Sequence, residues 1–342
     1  LGAQHRSAYS AMGDTTNTAA RIAGKAPLGQ IYAHPEVLDE CLMLYSTTPS
    51  EPLTMKGKAA PLVVYQVGEA QGLRQREGLM TGFFGRETEL GLLAEVFASL
   101  HEGRGGVICV TGESGLGKSR LLEEARTRAG HDLNLFIRGE PYGANSAYRA
   151  LRDPIRGLLG IERDTPAAMT AALERAAERI DPALLPMIGL LAPVLQIPVP
   201  ESEVVQAIEA QFRPQRTAEL VAELLEKTGE SRKVFLIDDA HWVDDASAQL
   251  LTYLGTRTAD LPWLLLVARR ESDRGFAPAA TTPITLAPLA EKDVREFVMS
   301  ATEAAPLRPH ELDQVIARTG GNPLFAMEII KAVREIGSLA VS

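Results

Sequence analysis

Gly112-Glu113-Ser114-Gly115-Leu116-Gly117-Lys118-Ser119 meets the pattern G-x-x-x-x-G-K-S at every fixed position. The short apolar run Val107-Ile108-Cys109-Val110 precedes it and the helical pattern Arg120-Leu121-Leu122-Glu123-Glu124-Ala125 follows it. Strand, glycine loop and helix in that order give the context the pattern requires. Gly112, Gly115 and Gly117 let the backbone curl so that successive N–H groups face inward, and the following helix adds the positive end of its dipole. A polyphosphate is the ligand such a loop fits. Lys118 is placed to reach β- and γ-phosphates as a point charge, and the Ser119 hydroxyl to meet a magnesium ion that bridges them.

At 342 residues the chain exceeds one ordinary domain. A formal charge of −9 argues against a broad nucleic-acid-binding face, so no nucleic-acid partner is expected. Cys41 and Cys109 have no Cys or His at metal-ligand spacing, which points away from a zinc site or disulfide framework and toward a reducing cytoplasm. Residues Pro182 to Pro200 carry no charge and are long enough to cross a bilayer. Prolines at 182, 186, 193, 198 and 200 would interrupt the helical hydrogen-bond ladder, so buried helix ends are expected and a membrane partner is not. The first residues lack the basic start and apolar centre of a secretory leader, and the chain opens inside a pattern; a piece of a longer protein is expected.

Residues 1–68 read as one unit. Ser10 to Asn17 is loop-like and Thr18 to Ala23 helical, so Asn17 and Arg21, four apart, share a face. A strand at Gln30–Ala33, a short helix from Pro35 and a closing strand at Pro61–Val67 follow. The stretches Gly13-Asp14-Thr15-Thr16-Asn17-Thr18-Ala19-Ala20-Arg21 and Lys56-Gly57-Lys58 before the Val-Tyr strand resemble the C-terminal part of the class III nucleotidyl cyclase domain, an α+β ferredoxin-like fold. The resemblance implies that Asn17 and Arg21 act on the ribose and the transferring phosphate, Lys56 on the terminal phosphates, and Ser10 on the purine edge. It also implies a second cyclase half or a homodimer partner. The family's two metal-binding aspartates lie on strands upstream of those seen here, and two-metal chemistry needs them. This chain alone is therefore expected to be inactive as a cyclase.

Residues 69–81 are polar and glycine-punctuated, an expected connector. From 82 to 290 the pattern is α/β, with five expected parallel strands at 107–110, 133–138, 234–239, 263–268 and 283–286 and a helical insertion over 145–230. Val234-Phe235-Leu236-Ile237-Asp238-Asp239 ends in two acids at the strand's C-terminal end, where open α/β sheets place ligands. Asp238 is the candidate magnesium holder, and Asp239 the candidate to orient or deprotonate an attacking water. Arg269 and Arg270 follow the next strand, and one of them is a candidate γ-phosphate sensor. A helical lid is expected over 291–342, with Gly320-Gly321-Asn322-Pro323 restarting a helix at proline.

Phe84-Gly85-Arg86-Glu87, the 112–119 loop, Leu236-Ile237-Asp238-Asp239-Ala240-His241-Trp242 and Gly320-Gly321-Asn322-Pro323-Leu324-Phe325 occur in the order of the signal-transduction ATPases with numerous domains, which this region resembles. The resemblance implies an ATP·Mg²⁺ switch ATPase, with Gly85, Arg86 and Pro323 beside the adenine, His241 in a packing role, and repeat or regulatory domains beyond Ser342. Together the two resemblances imply a cytoplasmic signalling protein whose parent converts ATP to cyclic AMP and pyrophosphate. The rival expectations are an ATP-gated transcriptional regulator with its DNA-binding domain elsewhere, and a scaffold in which nucleotide only sets conformation.

Overall fold

The structure, a computed structural model, describes residues 14–41, 43–54, 61–73, 82–129, 133–141, 146–162, 164–302 and 306–339. The chain divides into two units, Leu1–Met80 and Thr81–Ser342.

In the first unit, a helix over Asp14–Ala23 and a short one over Pro35–Glu40 accompany strands β1 (Ile31–Ala33), β2 (Met43–Pro49) and β3 (Tyr65–Leu73). The strands form an antiparallel sheet in the order β1-β3-β2. Among the described residues its apolar cluster is Ile22 and Val64, with Tyr32, Leu53 and Leu62 against them. Two boundaries differ from the sequence expectation. The first helix begins at Asp14, so Thr15, Thr16 and Asn17 are helical where a loop was expected. β3 runs on to Leu73, into the stretch expected as connector, where it pairs with β2 alone over Met43–Tyr45.

The second unit carries a parallel sheet of β4 (Gly106–Thr111), β5 (Leu133–Arg138), β6 (Lys233–Asp238), β7 (Trp263–Arg269) and β8 (Thr282–Thr285). Their spatial order is β5-β6-β7-β4-β8, and every neighbouring pair is parallel. β6 and β7 are buried at every position, which is why they read as unbroken apolar runs. Alternate residues face opposite layers. Val234, Leu236, Leu264 and Leu266 pack with Leu93, Phe97, Leu121 and Leu122 from the helices Glu87–His101 and Lys118–Ala129. Phe235, Ile237, Leu265 and Val267 pack instead with the helical insertion and the helix Asp245–Arg257. Each such side chain contributes about 1.5–3 kcal/mol on full burial. The proline-rich segment forms a 3₁₀ helix over Pro182–Leu191 and a helical turn over Ala192–Leu195, within the insertion core.

After β8, helices Glu291–Ala301, Pro309–Thr319 and Pro323–Leu339 build a third apolar cluster around Val294, Phe297, Val298, Val315, Ile316 and Ile330. Phe83 and Phe84, adjacent in sequence, serve different clusters: Phe83 packs on the sheet core and Phe84 on the helical cluster, edge-on to Phe297 with centroids 6.2 Å apart.

Candidate functional site at the C-terminal edge of the sheet

The 112–119 loop leaves β4 where the strand order reverses between β7 and β8, the crevice position of an open parallel sheet. Gly112, Gly115 and Gly117 take φ values of 150°, 84° and 93°, and Lys118 begins the helix. The Lys118 ammonium, 8% exposed, donates to the carbonyls of Gly112 at 2.9 Å and Glu113 at 2.7 Å. Burial first, and the nearby Arg270 second, hold its pKa below the usual lysine range, while Asp239 and Asp238 pull it back up. The lysine is thus already inside the loop that its charge would serve.

β6 delivers the acids. Ser119 Oγ donates to Asp238 Oδ1 at 2.9 Å, joining the loop's helix to the end of the strand. Asp238 is 4% exposed, and burial, then the Asp239 charge, raise its pKa above the ordinary carboxylate range. The Asp239 backbone N–H donates to the same Oδ1 at 2.9 Å. Asp239 sits in the left-handed region at φ 50°, ψ 40°, which costs a non-glycine residue of order 1–3 kcal/mol and recurs at functional sites. That turn swings its carboxylate out of the strand direction toward Arg138, 3.6 Å away at the end of β5. The neighbouring position requires glycine, because a Cβ on Gly139 would lie 2.2 Å from the Asp239 carbonyl oxygen.

The two arginines after β7 part company. Arg269, 5% exposed, donates to the carbonyls of Phe276 at 2.8 Å, Arg270 at 3.2 Å and Ser272, so its guanidinium organises the 270–276 loop. Arg270 extends the other way and donates to Ser114 Oγ at 3.0 Å, on the rim of the glycine loop. Arg86 is equally committed: it donates to the carbonyls of Leu116 at 3.1 Å and Ala287 at 2.8 Å and pairs with Glu89, bracing the loop from below. Gly85 packs against the helical lid, where a Cβ would fall 2.5 Å from Asp293.

His241 is 5% exposed, its Nδ1 accepts from the Arg270 N–H at 3.5 Å, and its ring lies 5.1 Å from Trp242. Burial lowers its pKa, which keeps the imidazole neutral.

The lid reaches the same loop. Asn322 Nδ2 donates to the Ser114 carbonyl at 2.8 Å, and the Leu324 N–H to the Gly115 carbonyl at 3.3 Å. Asn322 Oδ1 also accepts from the N–H groups of Leu324 and Phe325, capping the helix that Pro323 starts. Asn322 and Arg138 were missing from the sequence reading of the site. The Asn before a helix-starting Pro carried a local signal, but only as a cap.

Of the residues singled out in the first unit, Asn17 and Arg21 lie exposed on the helix Asp14–Ala23, and Ser10 and Lys56 lie outside the described residues.

A family model described as AAA ATPase domain matches residues 82–267, from the segment before Phe83 to the interior of β7. An uncharacterized protein of Rhizobium meliloti (strain 1021) is 30% identical over 295 residues, which span 82% of this chain and 28% of that protein. Among solved structures, the ORC1 protein of Aeropyrum pernix in complex with DNA is 15% identical with a TM-score of 0.46, covering 78% of this chain and 63% of that one. A RuvB variant of Thermotoga maritima is 15% identical with a TM-score of 0.44, covering 76% and 65%. A signal-transduction ATPase with numerous domains and a tetratricopeptide repeat sensor, from Pyrococcus horikoshii, is 16% identical with a TM-score of 0.34, covering 70% of this chain and 28% of that one.

Proposed function

This chain belongs to the AAA ATPase domain family, and from that premise we propose that its second unit is a slow, nucleotide-operated switch of the signal-transduction ATPase type. The observation that carries the proposal is convergence: Lys118, the Ser119–Asp238 pair, Arg270 and Asn322 of the lid all meet at one glycine loop, with Asp239 next in the chain to Asp238. The loop's N–H groups and Lys118 bind the phosphates of ATP. Asp239, held clear of the strand by its left-handed turn, orients the attacking water and accepts its proton. Arg270, whose guanidinium reaches Ser114 on the loop rim, is the arginine of the pair that senses the γ-phosphate.

The residues present fit a magnesium ion. Ser119 Oγ and Asp238 Oδ1 are hard oxygen donors 2.9 Å apart, and among the described residues no cluster of three or more His, Cys, Asp or Glu could cage a cation by itself. Such a pair suits an ion that arrives with the nucleotide and keeps phosphate and water as its other ligands. When bound, it neutralises charge that develops on the phosphates. Calorimetry with ATP·Mg²⁺ tests the assignment: the chain should bind, and Lys118→Ala should lose most of the affinity. Equal affinities would remove the loop from the site.

For the first unit we propose the tail of a cyclase domain, on the strength of Asn17 and Arg21 standing four apart on the exposed side of one helix in the motif described above. The intact parent would make cyclic AMP and pyrophosphate from ATP in the cytoplasm, with the missing aspartates supplied by the rest of its domain. Among the described residues no helix is long and apolar enough to cross a membrane. The purified chain should make no cyclic AMP, and adding a complementary cyclase half should restore it. Cyclic AMP from the chain alone, abolished by Asn17→Ala, would overturn this reading.

A further inference from the structure

We propose that the helical insertion contains a second ligand site, an arginine-lined cavity for a small phosphate-bearing anion, separate from the glycine loop. Arg149, Arg152 and Arg156, together with Asp164, Met169 and Gln196, line a cavity of about 260 Å³. The arginines all come from the helix Arg149–Leu159, whose other side buries Leu151, Ile155 and Leu159 in the insertion core. Spacings of three and four residues bring the three guanidinium groups onto one stripe of that helix.

Arg152 is the informative member. It is 6% exposed, yet its described partners are neutral: Nη2 donates to Ser146 Oγ at 3.3 Å and to the Ala147 carbonyl at 3.2 Å. Its Nε is buried and meets no acceptor. A buried cation without a counter-charge costs several kcal/mol, and an unpaired N–H adds to that cost. Holding the Ser146–Ala147 turn needs only a neutral donor. That role would not explain two more arginines around the same cavity.

Those two already lean on acids at the rim, Arg149 on Glu140 at 3.2 Å and Arg156 on Asp153 at 4.0 Å. Asp164 is the one carboxylate among the described lining residues, and its Oδ1 accepts from the Thr165 N–H at 2.6 Å. Gln196 closes the cavity from the end of the Ala192–Leu195 turn, in the left-handed region at φ 51°, ψ 48°. The guanidinium fork matches phosphate oxygens in pairs, and the volume falls below the usual range for drug-sized ligands, which limits the occupant to inorganic phosphate or a small phosphorylated metabolite.

The site hangs from the catalytic loop. The Asp244 carboxylate accepts from the N–H groups of Tyr148 at 2.8 Å and Ala150 at 3.3 Å, at the start of the arginine helix. Asp244 also caps the helix that follows the Asp238–Asp239 turn.

The test uses the full chain saturated with ADP, so that the glycine loop is occupied, and titrates inorganic phosphate against chloride at matched ionic strength. Phosphate should slow hydrogen exchange across 149–159 several-fold and raise the melting temperature; chloride should do neither. Arg152→Met keeps the aliphatic stem and should abolish both responses without lowering the melting temperature in phosphate-free buffer. Arg149→Gln, on the half-buried rim, should weaken apparent phosphate affinity about tenfold or more. The proposal fails if the parent ignores phosphate. It also fails if Arg152→Met keeps the response, which would put the phosphate elsewhere on the chain.

Discussion

The sheet edge and the lid touch the same glycine loop but are held there differently. Lys118, Ser119 and Asp238 stand on strands and a helix whose apolar residues form one continuous core, so their positions follow from the fold of the whole sheet. The lid has its own apolar cluster, around Val294, Phe297, Val315 and Ile330, and meets the loop through the Asn322 amide and the Leu324 N–H. Breaking the first contact set means disturbing a core; breaking the second means exchanging two hydrogen bonds, each worth about 1 kcal/mol net, and loosening the Phe84 packing on Phe297. On the function proposed above, the chemistry would sit on the fixed side and any switching on the lid side.

The largest effect should come from the fixed side. Lys118→Ala removes the buried cation inside the loop, and ATP turnover should fall by about 10²–10³-fold, the scale for losing one preorganised electrostatic contact. Asp239→Asn should cost turnover about 10²-fold while ATP binding survives, since the amide keeps the shape and loses the proton acceptor. Single-turnover hydrolysis beside equilibrium binding separates the two: loss of binding in Asp239→Asn would make it a ligand-holding residue instead.

A pH series sharpens the same side. Burial and the neighbouring Asp239 raise the Asp238 pKa, so the folded chain holds a proton there that the unfolded chain has already released. The stability contribution is therefore greatest below the unfolded carboxylate range and is lost as pH rises through the elevated folded value. Magnesium needs the carboxylate ionised, so ATP·Mg²⁺ affinity should move oppositely, weakening by about tenfold for each pH unit below the folded value. Asp238→Asn should flatten both profiles; a parent-like slope in the variant would assign the proton to another group.

The two sides also differed in how well the sequence announced them. The strand ending in Asp238 was legible because a parallel strand covered on both faces must be apolar throughout, and the acids mark where cover ends. The glycine loop was legible because its contacts are local. Arg269 and Arg270 were indistinguishable as neighbours in a string. The structure separates them because successive residues leave a strand on opposite sides, one into the 270–276 loop and one toward Ser114. Arg86, expected beside the adenine, donates to the carbonyls of Leu116, 30 positions on, and Ala287, 201 positions on, pairings no local pattern carries. In the first unit the extension of β3 past Val67 was missed for the converse reason: Gly68-Glu69-Ala70-Gln71-Gly72 has no apolar run to show.

The smallest expected effect is the one that tests the lid side. Asn322 does two jobs: its Nδ2 holds the Ser114 carbonyl, and its Oδ1 caps the helix Pro323–Leu339. Asn322→Ala should lose both, and Asn322→Asp should lose only the first, because a carboxylate still caps a helix but cannot donate to a carbonyl. The cap alone is worth about 1 kcal/mol, the loop bond a similar amount. Hydrogen exchange across 309–339 should therefore speed up about fivefold in Asn322→Asp and more in Asn322→Ala, with the sheet strands unaffected. A ligand shifts the lid only by its differential affinity for the docked and released forms. Ser114 is bonded from both directions, by Asn322 at its carbonyl and by Arg270 at its hydroxyl, so a γ-phosphate that draws on Arg270 acts on the residue that holds the lid. A non-hydrolysable ATP analogue and ADP should then protect 309–339 differently in the parent and alike in Arg270→Gln. Equal protection by both nucleotides in the parent would leave an ATPase whose lid is a fixed wall.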